Sequence, residues 1–291
     1  MCKVKFYKVL FHKVLLHKVL SLLSLSFLSL SLYAKEPLLL SLKGDLTQGG
    51  LVVGQAVKGS TVTFEDKELE LTPQGHFVFG FHRDMPEIAT LTVQNGKQKE
   101  VQKLLVRKRD YNIERIDGLP PSKVNPMKPE ILKRIRKEGA LVSKARSNSS
   151  KDEFFMQDFI WPAKGRLSGF YGSQRVLNGE PKRPHYGVDV AAPTGTEVVA
   201  PADGTVRLAY DNMFYSGGTL IIDHGYGVSS TFIHLNSIDV ENGQKVKQGD
   251  KIATIGETGR ATGPHLDWRI NWYSSRLDPQ LLVPPFENNQ D

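Results

Sequence analysis

From Trp161 to the C-terminus, short apolar or alternating runs recur about every ten residues, with glycines between them. The runs are 196–200, 204–209, 219–223, 228–233, 251–255 and 265–271. Strands of this length and spacing, with few helix signals, predict an antiparallel sheet or sandwich. Gly195, Gly204, Gly217-Gly218, Gly225, Gly227, Gly243, Gly249, Gly256 and Gly259 fit its turns. A second set of runs, 51–57, 60–64, 76–81, 88–93 and 101–106, predicts a small β domain over 35–110. Asn95-Gly96 between the last two is a strong hairpin signal. Residues 111–160 read as a connector. Asn125-Pro126 breaks regular structure, and a helix is expected from about Pro129 to Arg146, with Pro129 in its first turn. Ile131, Leu132, Ile135 and Val142 would form its buried stripe. Its basic run, Lys133, Arg134, Arg136 and Lys137, reads as a solvated face, with contact to an anionic wall or membrane as the other reading. The expected fold class is mainly β: a C-terminal antiparallel sheet or sandwich over 161–291, preceded by a small β domain and a helical connector.

The net charge of +7 says little about partners. Lys3, Lys5, Lys8, Lys13 and Lys18 supply five of the seven charges, in a stretch with no acidic residue before Glu36. The remainder is too small to argue for nucleic acid. Residues 1–34 look like a secretory signal peptide: basic residues, then an apolar run over 19–32, then Tyr33-Ala34. That run is shorter than the roughly 20 residues of a membrane-spanning helix. The chain is therefore expected to be exported, to a periplasm, with membrane attachment only if the leader is retained.

The single cysteine, Cys2, lies in this leader. Beyond it there is no thiol, so any metal must be held by His, Asp or Glu. Three separated pieces offer such a set: His185 and Asp189 in Arg183-Pro184-His185-Tyr186-Gly187-Val188-Asp189, the lone His234, and His265-Leu266-Asp267. Together they read as a zinc site with catalytic bases beside it. On a strand His265 and Asp267 share a face about 6.6 Å apart. His185 and Asp189 on a straight strand would stand about 13 Å apart, so both reach one ion only if the chain bends. Gly187 between them is expected to permit the bend.

Residues 160–283 resemble the lysostaphin/LytM-type zinc metallopeptidases, which cut peptide bonds of bacterial peptidoglycan. The resemblance rests on His185-Tyr186-Gly187-Val188-Asp189, Ala200-Pro201-Ala202-Asp203-Gly204, Ile233-His234-Leu235 and the run from Thr258 through Gly263-Pro264-His265-Leu266-Asp267. It implies a zinc-dependent endopeptidase acting on stem peptides or cross-links, with a LytM-type catalytic domain. His185 and Asp189 match the first two zinc ligands. His234 and His265 match the two catalytic histidines. Asp267 stands where the pattern His-x-His has its second histidine, the third ligand. This departure makes the ligand set more anionic, which is expected to weaken the zinc as a Lewis acid. Arg175 lies near the substrate groove in the resemblance and is a candidate holder of a substrate carboxylate, against a structural salt bridge. Asn178 is a weaker candidate near the zinc, and His224 is assigned to a turn.

Two functions stay open. The first is the peptidoglycan endopeptidase. The second, favoured only by Asp267, is a catalytically weak or inactive relative that binds the wall or activates another hydrolase. A carrier-domain reading of Val246-Lys247-Gln248-Gly249-Asp250-Lys251-Ile252-Ala253 is set aside, because the run has no modification-site tip. The 35–110 domain is also expected to shield the groove until displaced.

Overall fold

The computed structural model describes residues 36–118 and 128–286. The expected leader and the Asn125-Pro126 break lie outside the described residues. The first strands are β1 (Leu39–Gly44), β2 (Leu51–Ala56), β3 (Thr61–Phe64), β4 (Lys67–Leu69), β5 (His76–Gly80), β6 (Ile88–Asn95) and β7 (Gln98–Leu105). They form a three-stranded sheet, order β1-β2-β5, and a four-stranded sheet, order β4-β3-β6-β7. Asn95 pairs with Gln98 across the expected hairpin, where Gly96 takes a positive φ of 55°. Phe77, Phe79 and Phe81 are fully buried, and Phe79 stacks on Phe64 at 4.3 Å. Burial of each phenyl ring is worth roughly 1.5–3 kcal/mol, so these rings supply much of the cohesion of the small β assembly.

Next come β8 (Ile113–Ile116) and the helix α1 (Pro129–Ser147). The helix follows the expected boundaries within one residue, but its contacts differ from the apolar stripe. Its buried residues are Glu138 and Ala145, while Ile131, Leu132, Ile135 and Val142 are half-buried. The Glu138 carboxylate accepts from Arg134 Nε at 2.7 Å and from the Phe214 amide at 2.9 Å. Arg134 also donates to the Asn212 carbonyl at 2.6 Å. One member of the basic run is thus a tether to the sheet, while Lys133, Arg136 and Lys137 are exposed. Among the described residues no helix is long and apolar enough to cross a membrane.

The C-terminal strands are β9 (Arg166–Gly169), β10 (Gln174–Leu177), β11 (Glu180–Pro181), β12 (Val188–Ala191), β13 (Glu197–Val199), β14 (Gly204–Met213), β15 (Gly217–Gly225), β16 (Val228–Ile238), β17 (Lys245–Val246), β18 (Lys251–Ile255), β19 (His265–Trp272) and β20 (Ser275–Leu277). The main sheet runs β17-β14-β15-β16-β19-β12-β9, with β18 joining β13 to β16 and β20 on β19. All pairs within it are antiparallel. Every residue of β15 is buried. One face is covered where Ala145 of α1 packs with Leu208, Met213 and Ile221. A strand covered on both faces reads as a continuous run rather than an alternating one, as Thr-Leu-Ile-Ile does here.

The two β assemblies share one apolar core. Phe64 packs edge-on against Trp272 at 6.3 Å, and a Cβ at Gly80 would come within 2.7 Å of Leu277. Polar contacts reinforce this seam. Arg109 pairs with the buried Asp278 at 2.7 Å, and Arg83 Nε donates to the Gly172 carbonyl at 2.9 Å. β8 adds a parallel strand to the β10–β11 hairpin, whose turn is Asn178-Gly179 with φ of 49° and 80°. The positive φ at Asn178 explains an asparagine there. His224, assigned to a turn from the sequence, is instead a fully buried residue of β15. Its Nδ1 lies 2.7 Å from the Asp203 carbonyl and its Nε2 2.8 Å from Ser230 Oγ. Burial pushes its pKa down to about 4, so the ring is a neutral bridge.

Candidate metal centre

The two carboxylates are brought together by sheet register. In the antiparallel pair β12–β19, Asp189 is directly opposite Asp267. Side chains of directly opposed residues lie on one face about 5 Å apart, where like charges destabilise the pair. Two partly or fully buried carboxylates in this arrangement require positive charge between or beside them. The strand alternation that puts Leu266, Trp268 and Ile270 into the core puts His265, Asp267 and Arg269 on the other face. Trp268 is completely buried and Trp272 nearly so, in keeping with a core role for both.

His185 joins them from outside the strand. It precedes β12, and its backbone is pinned by His185 N to Ser173 O and Gly172 N to His185 O, each 2.8 Å. The bend expected from the His-x-x-x-Asp spacing is therefore present, but Gly187 serves it differently from the expectation. Gly187 does not have a positive φ; a Cβ there would fall 2.5 Å from Asp267 Oδ1 and 2.6 Å from Arg269 Cγ. The glycine provides space for Asp267 and Arg269 rather than conformational freedom. Gly169, opposite Asp189, does the same for the other carboxylate, since a Cβ would lie 2.1 Å from Asp189 Oδ2.

One ligand-capable atom from each of His185, Asp189 and Asp267 lies within 4.8 Å of the others. His185 Nε2 stands 3.2 Å from Asp189 Oδ1, and both atoms are buried without a hydrogen-bond partner. His185 Nδ1 is 3.9 Å from Asp267 Oδ2. Buried polar atoms are almost always satisfied, so two facing orphans, one nitrogen and one carboxylate oxygen, fit a bound cation. Burial alone would lower the His185 pKa, but the carboxylates of Asp189 and Asp267 outweigh it and raise it.

Sequence reasoning missed Arg269. Its guanidinium donates to both oxygens of Asp267, Nε to Oδ1 at 2.8 Å and the second nitrogen to Oδ2 at 2.5 Å. Burial would raise the Asp267 pKa, yet Arg269 beside it holds the carboxyl below its usual range. The expectation that an aspartate makes the ligand set more anionic thus meets a compensating cation built into the same strand. The signal was present in the sequence as opposite charges at i and i+2 of a strand, which share a face.

The two histidines lie together beside this group, ring centroids 4.7 Å apart. His234 occupies the point where β16 leaves one neighbour for another. Ile233 pairs with Asp267 of β19, whereas Leu235 pairs with Ile255 of β18. His234 has φ of 65° at this irregularity. A non-glycine residue in the left-handed region is strained; here the His234 amide is fixed to the Ser216 carbonyl at 2.8 Å. His234 Nδ1 lies 2.8 Å from the Thr258 carbonyl, and His265 Nδ1 lies 2.8 Å from the Gly263 carbonyl. A carbonyl only accepts, so in each neutral ring Nδ1 carries the hydrogen and Nε2 keeps its lone pair. Burial lowers the His234 pKa, and the Thr258 contact only partly offsets this, so His234 is neutral at pH 7.

Arg175 of β10 pairs with Glu114 of β8 at 2.9 Å in an exposed ion pair. The structure brings His185, Asp189, Asp267, His234 and His265 into one neighbourhood and gives Arg175 a partner of its own.

Comparison with known proteins places this geometry. Residues 183–279 match the family described as Peptidase family M23. A metalloprotease of Haemophilus influenzae, itself uncharacterized, is 39% identical over 103 residues, 35% of this chain and 22% of that protein. The peptidoglycan DD-endopeptidase ShyA of Vibrio cholerae is 39% identical over 110 residues, 37% of this chain and 25% of its own. The alignments thus span about a quarter of these curated relatives. A solved structure of an M23 peptidase from Pseudomonas aeruginosa superposes with a TM-score of 0.64 at 29% identity. It covers 82% of this chain and 95% of that one, so the likeness extends beyond the C-terminal sheet. The C-terminal part of this chain is therefore a domain of peptidase family M23.

Proposed function

We propose that the chain is a zinc-dependent endopeptidase that hydrolyses peptide bonds in peptidoglycan stem peptides or cross-links, acting after export. The observation that carries this reading is the pair of opposed carboxylates, Asp189 and Asp267, with the orphaned His185 Nε2 facing Asp189. His185, Asp189 and Asp267 would hold the ion. A zinc ion in such a site supplies a water of pKa near 7 and polarises a carbonyl. A carboxylate is a legitimate zinc ligand, and each oxygen held by Arg269 retains a further lone pair.

The protein's own groups account for proton handling. The neutral His234, hydrogen-bonded through Nδ1 to Thr258, presents a basic Nε2 able to take a proton from a nucleophile. His265, oriented by Gly263 on the face that carries Asp267, is placed to stabilise a developing oxyanion or to return a proton to the leaving amine once its Nε2 has taken up a proton. The β16 irregularity that strains His234 fixes its ring, a preorganisation that costs backbone energy once, on folding. The relatives named as peptidoglycan DD-endopeptidases support the substrate class.

A second reading has one specific observation behind it. Both oxygens of Asp267, which stands where the resembling family's pattern has a histidine, are already engaged by Arg269. In that reading the domain binds the wall or activates another hydrolase without cutting. Incubating purified sacculi with the chain, with and without a chelator, separates the two. Soluble peptide-bearing fragments that vanish with chelator and return with zinc, identified by mass, support the endopeptidase. Sedimentation of the chain with sacculi and no released fragments at any metal concentration supports the second reading.

A further inference from the structure

The face of β19 that carries Asp267 continues into an excess of positive charge that the proposed hydrolysis does not use. Arg146, near the end of α1, donates to Thr231 Oγ1 at 3.0 Å, while its Nε is buried without a partner. Thr231 also accepts from Asn271 Nδ2 at 3.4 Å, and Asn271 Oδ1 accepts from Arg276 at 2.5 Å. Arg146, Thr231, Asn271 and Arg276 thus form one hydrogen-bonded row whose acceptors are all neutral. Among the described residues, neither Arg146 nor Arg276 has a carboxylate within salt-bridge distance. The nearby carboxylate of Asp267 is already paired with Arg269, so it is not available to neutralise either. Burial, followed by the neighbouring Arg269, brings the Arg276 pKa down to about 10, and the group stays protonated at neutral pH. Burial and then Arg276 and Arg269 likewise lower Arg146. Buried cations without an anion are costly. Arginine is the side chain suited to bidentate carboxylate recognition.

We propose that Arg146 and Arg276 form a carboxylate-binding subsite, which holds an anionic group of a peptide substrate lying along β19 from the metal centre. Asn271 stands two same-face steps from Asp267, about 13 Å along the strand. That is about four residues of extended peptide, so a carboxylate this far from the reacting bond meets the row. The subsite rests on the peptidase reading for its ligand class, but its binding preference is measurable without cleavage.

The test uses the full chain and muropeptides released from sacculi by lysozyme, compared with the same muropeptides after their carboxylates are converted to amides. Affinity for each is measured by calorimetry. The free carboxylate form is expected to bind at least about tenfold more tightly, the scale of a charge-assisted hydrogen bond. In Arg276→Gln and in Arg146→Gln this preference falls to within about twofold, with the thermal melt and metal content recorded for each. Equal affinity of the wild-type chain for the two forms overturns the proposal, a result that does not depend on any variant folding. So does a preference that survives both substitutions, or binding of neither form. A carboxylate preference without cleavage leaves the subsite standing and removes the hydrolase; cleavage of both forms with equal KM does the reverse.

Discussion

Replacing Arg269 with methionine tests the charge logic of the metal centre most directly. Methionine keeps an unbranched stem of similar length and removes the guanidinium. Asp267 is 3% exposed and its two oxygens receive both Arg269 contacts. Removing one partner of a buried pair typically costs about 3–5 kcal/mol, because the other charge is left uncompensated. Arg269 has a side chain 26% exposed, so the lower end, about 3 kcal/mol, is the expected cost in chelator. For a chain of this size, one kcal/mol moves the melting temperature by roughly 2–4 °C. The metal-free variant should therefore melt about 6–12 °C below the metal-free parent. Zinc should recover more stability in the variant than in the parent. The ion then faces two carboxylates with no internal counter-charge, whereas in the parent Arg269 repels it. The assay is thermal unfolding in chelator and over a zinc titration. If the metal-free variant melts within about 1 °C of the parent, the buried-pair argument is wrong. If zinc stabilises the variant less than the parent, Arg269 instead positions Asp267 for the ion.

Other expectations follow from neighbouring atoms. Asp267→Ala should lose metal on dialysis; unchanged zinc content would remove Asp267 from the ligand set. His234→Ala should keep its zinc and melt near the parent while releasing at least about 100-fold fewer fragments from sacculi, the lower range for a lost proton-transfer group; undiminished release would exclude His234 as the base. Gly187→Ala should cost about 1–3 kcal/mol through overpacking, since the added methyl meets Asp267, the Trp268 carbonyl and Arg269, and zinc affinity should fall with it; a fully stable, fully loaded variant would show that the strand relaxes freely.

Much of the architecture was legible because the strands carry their own punctuation. The β6–β7 hairpin was marked by Asn95-Gly96, and α1 by Pro129. The edges were less legible. β8 and the β10–β11 hairpin are short and exposed, and their pairing depends on a contact between segments sixty residues apart, which no local pattern encodes. The metal-capable residues were visible as types and spacings, but their support was not. Gly169 and Gly187 matter because of what stands opposite them in register, and register is a property of two strands. His224 reads as a turn histidine in Asp-His-Gly because the glycine dominates the local signal. Its burial follows from β14 and β16 on either side of β15, with Asp203 and Ser230 as acceptor and donor.

That buried histidine gives the chain an acid limit separate from its chemistry. His224 titrates near pH 6.5 when unfolded and at about 4 when folded. Between these values the unfolded chain binds the extra proton, so stability falls as pH drops through the window and the loss is complete below about 4. The linkage amounts to about 3–4 kcal/mol, from about 1.4 kcal/mol per pKa unit. Neighbouring carboxylates act in the same direction at lower pH; Asp203, held below its usual range by Lys247 and the Gln248 amide against a burial effect, is one. His224→Gln has an amide that can donate to the Asp203 carbonyl and accept from Ser230, with no group that titrates in this range. The variant should therefore have a flatter stability profile between pH 6.5 and 4, measured by urea unfolding, even if its stability at pH 7.5 is lower. A profile as steep as the parent's would show that the acid sensitivity arises elsewhere, and that a bridge between two strands is all His224 provides.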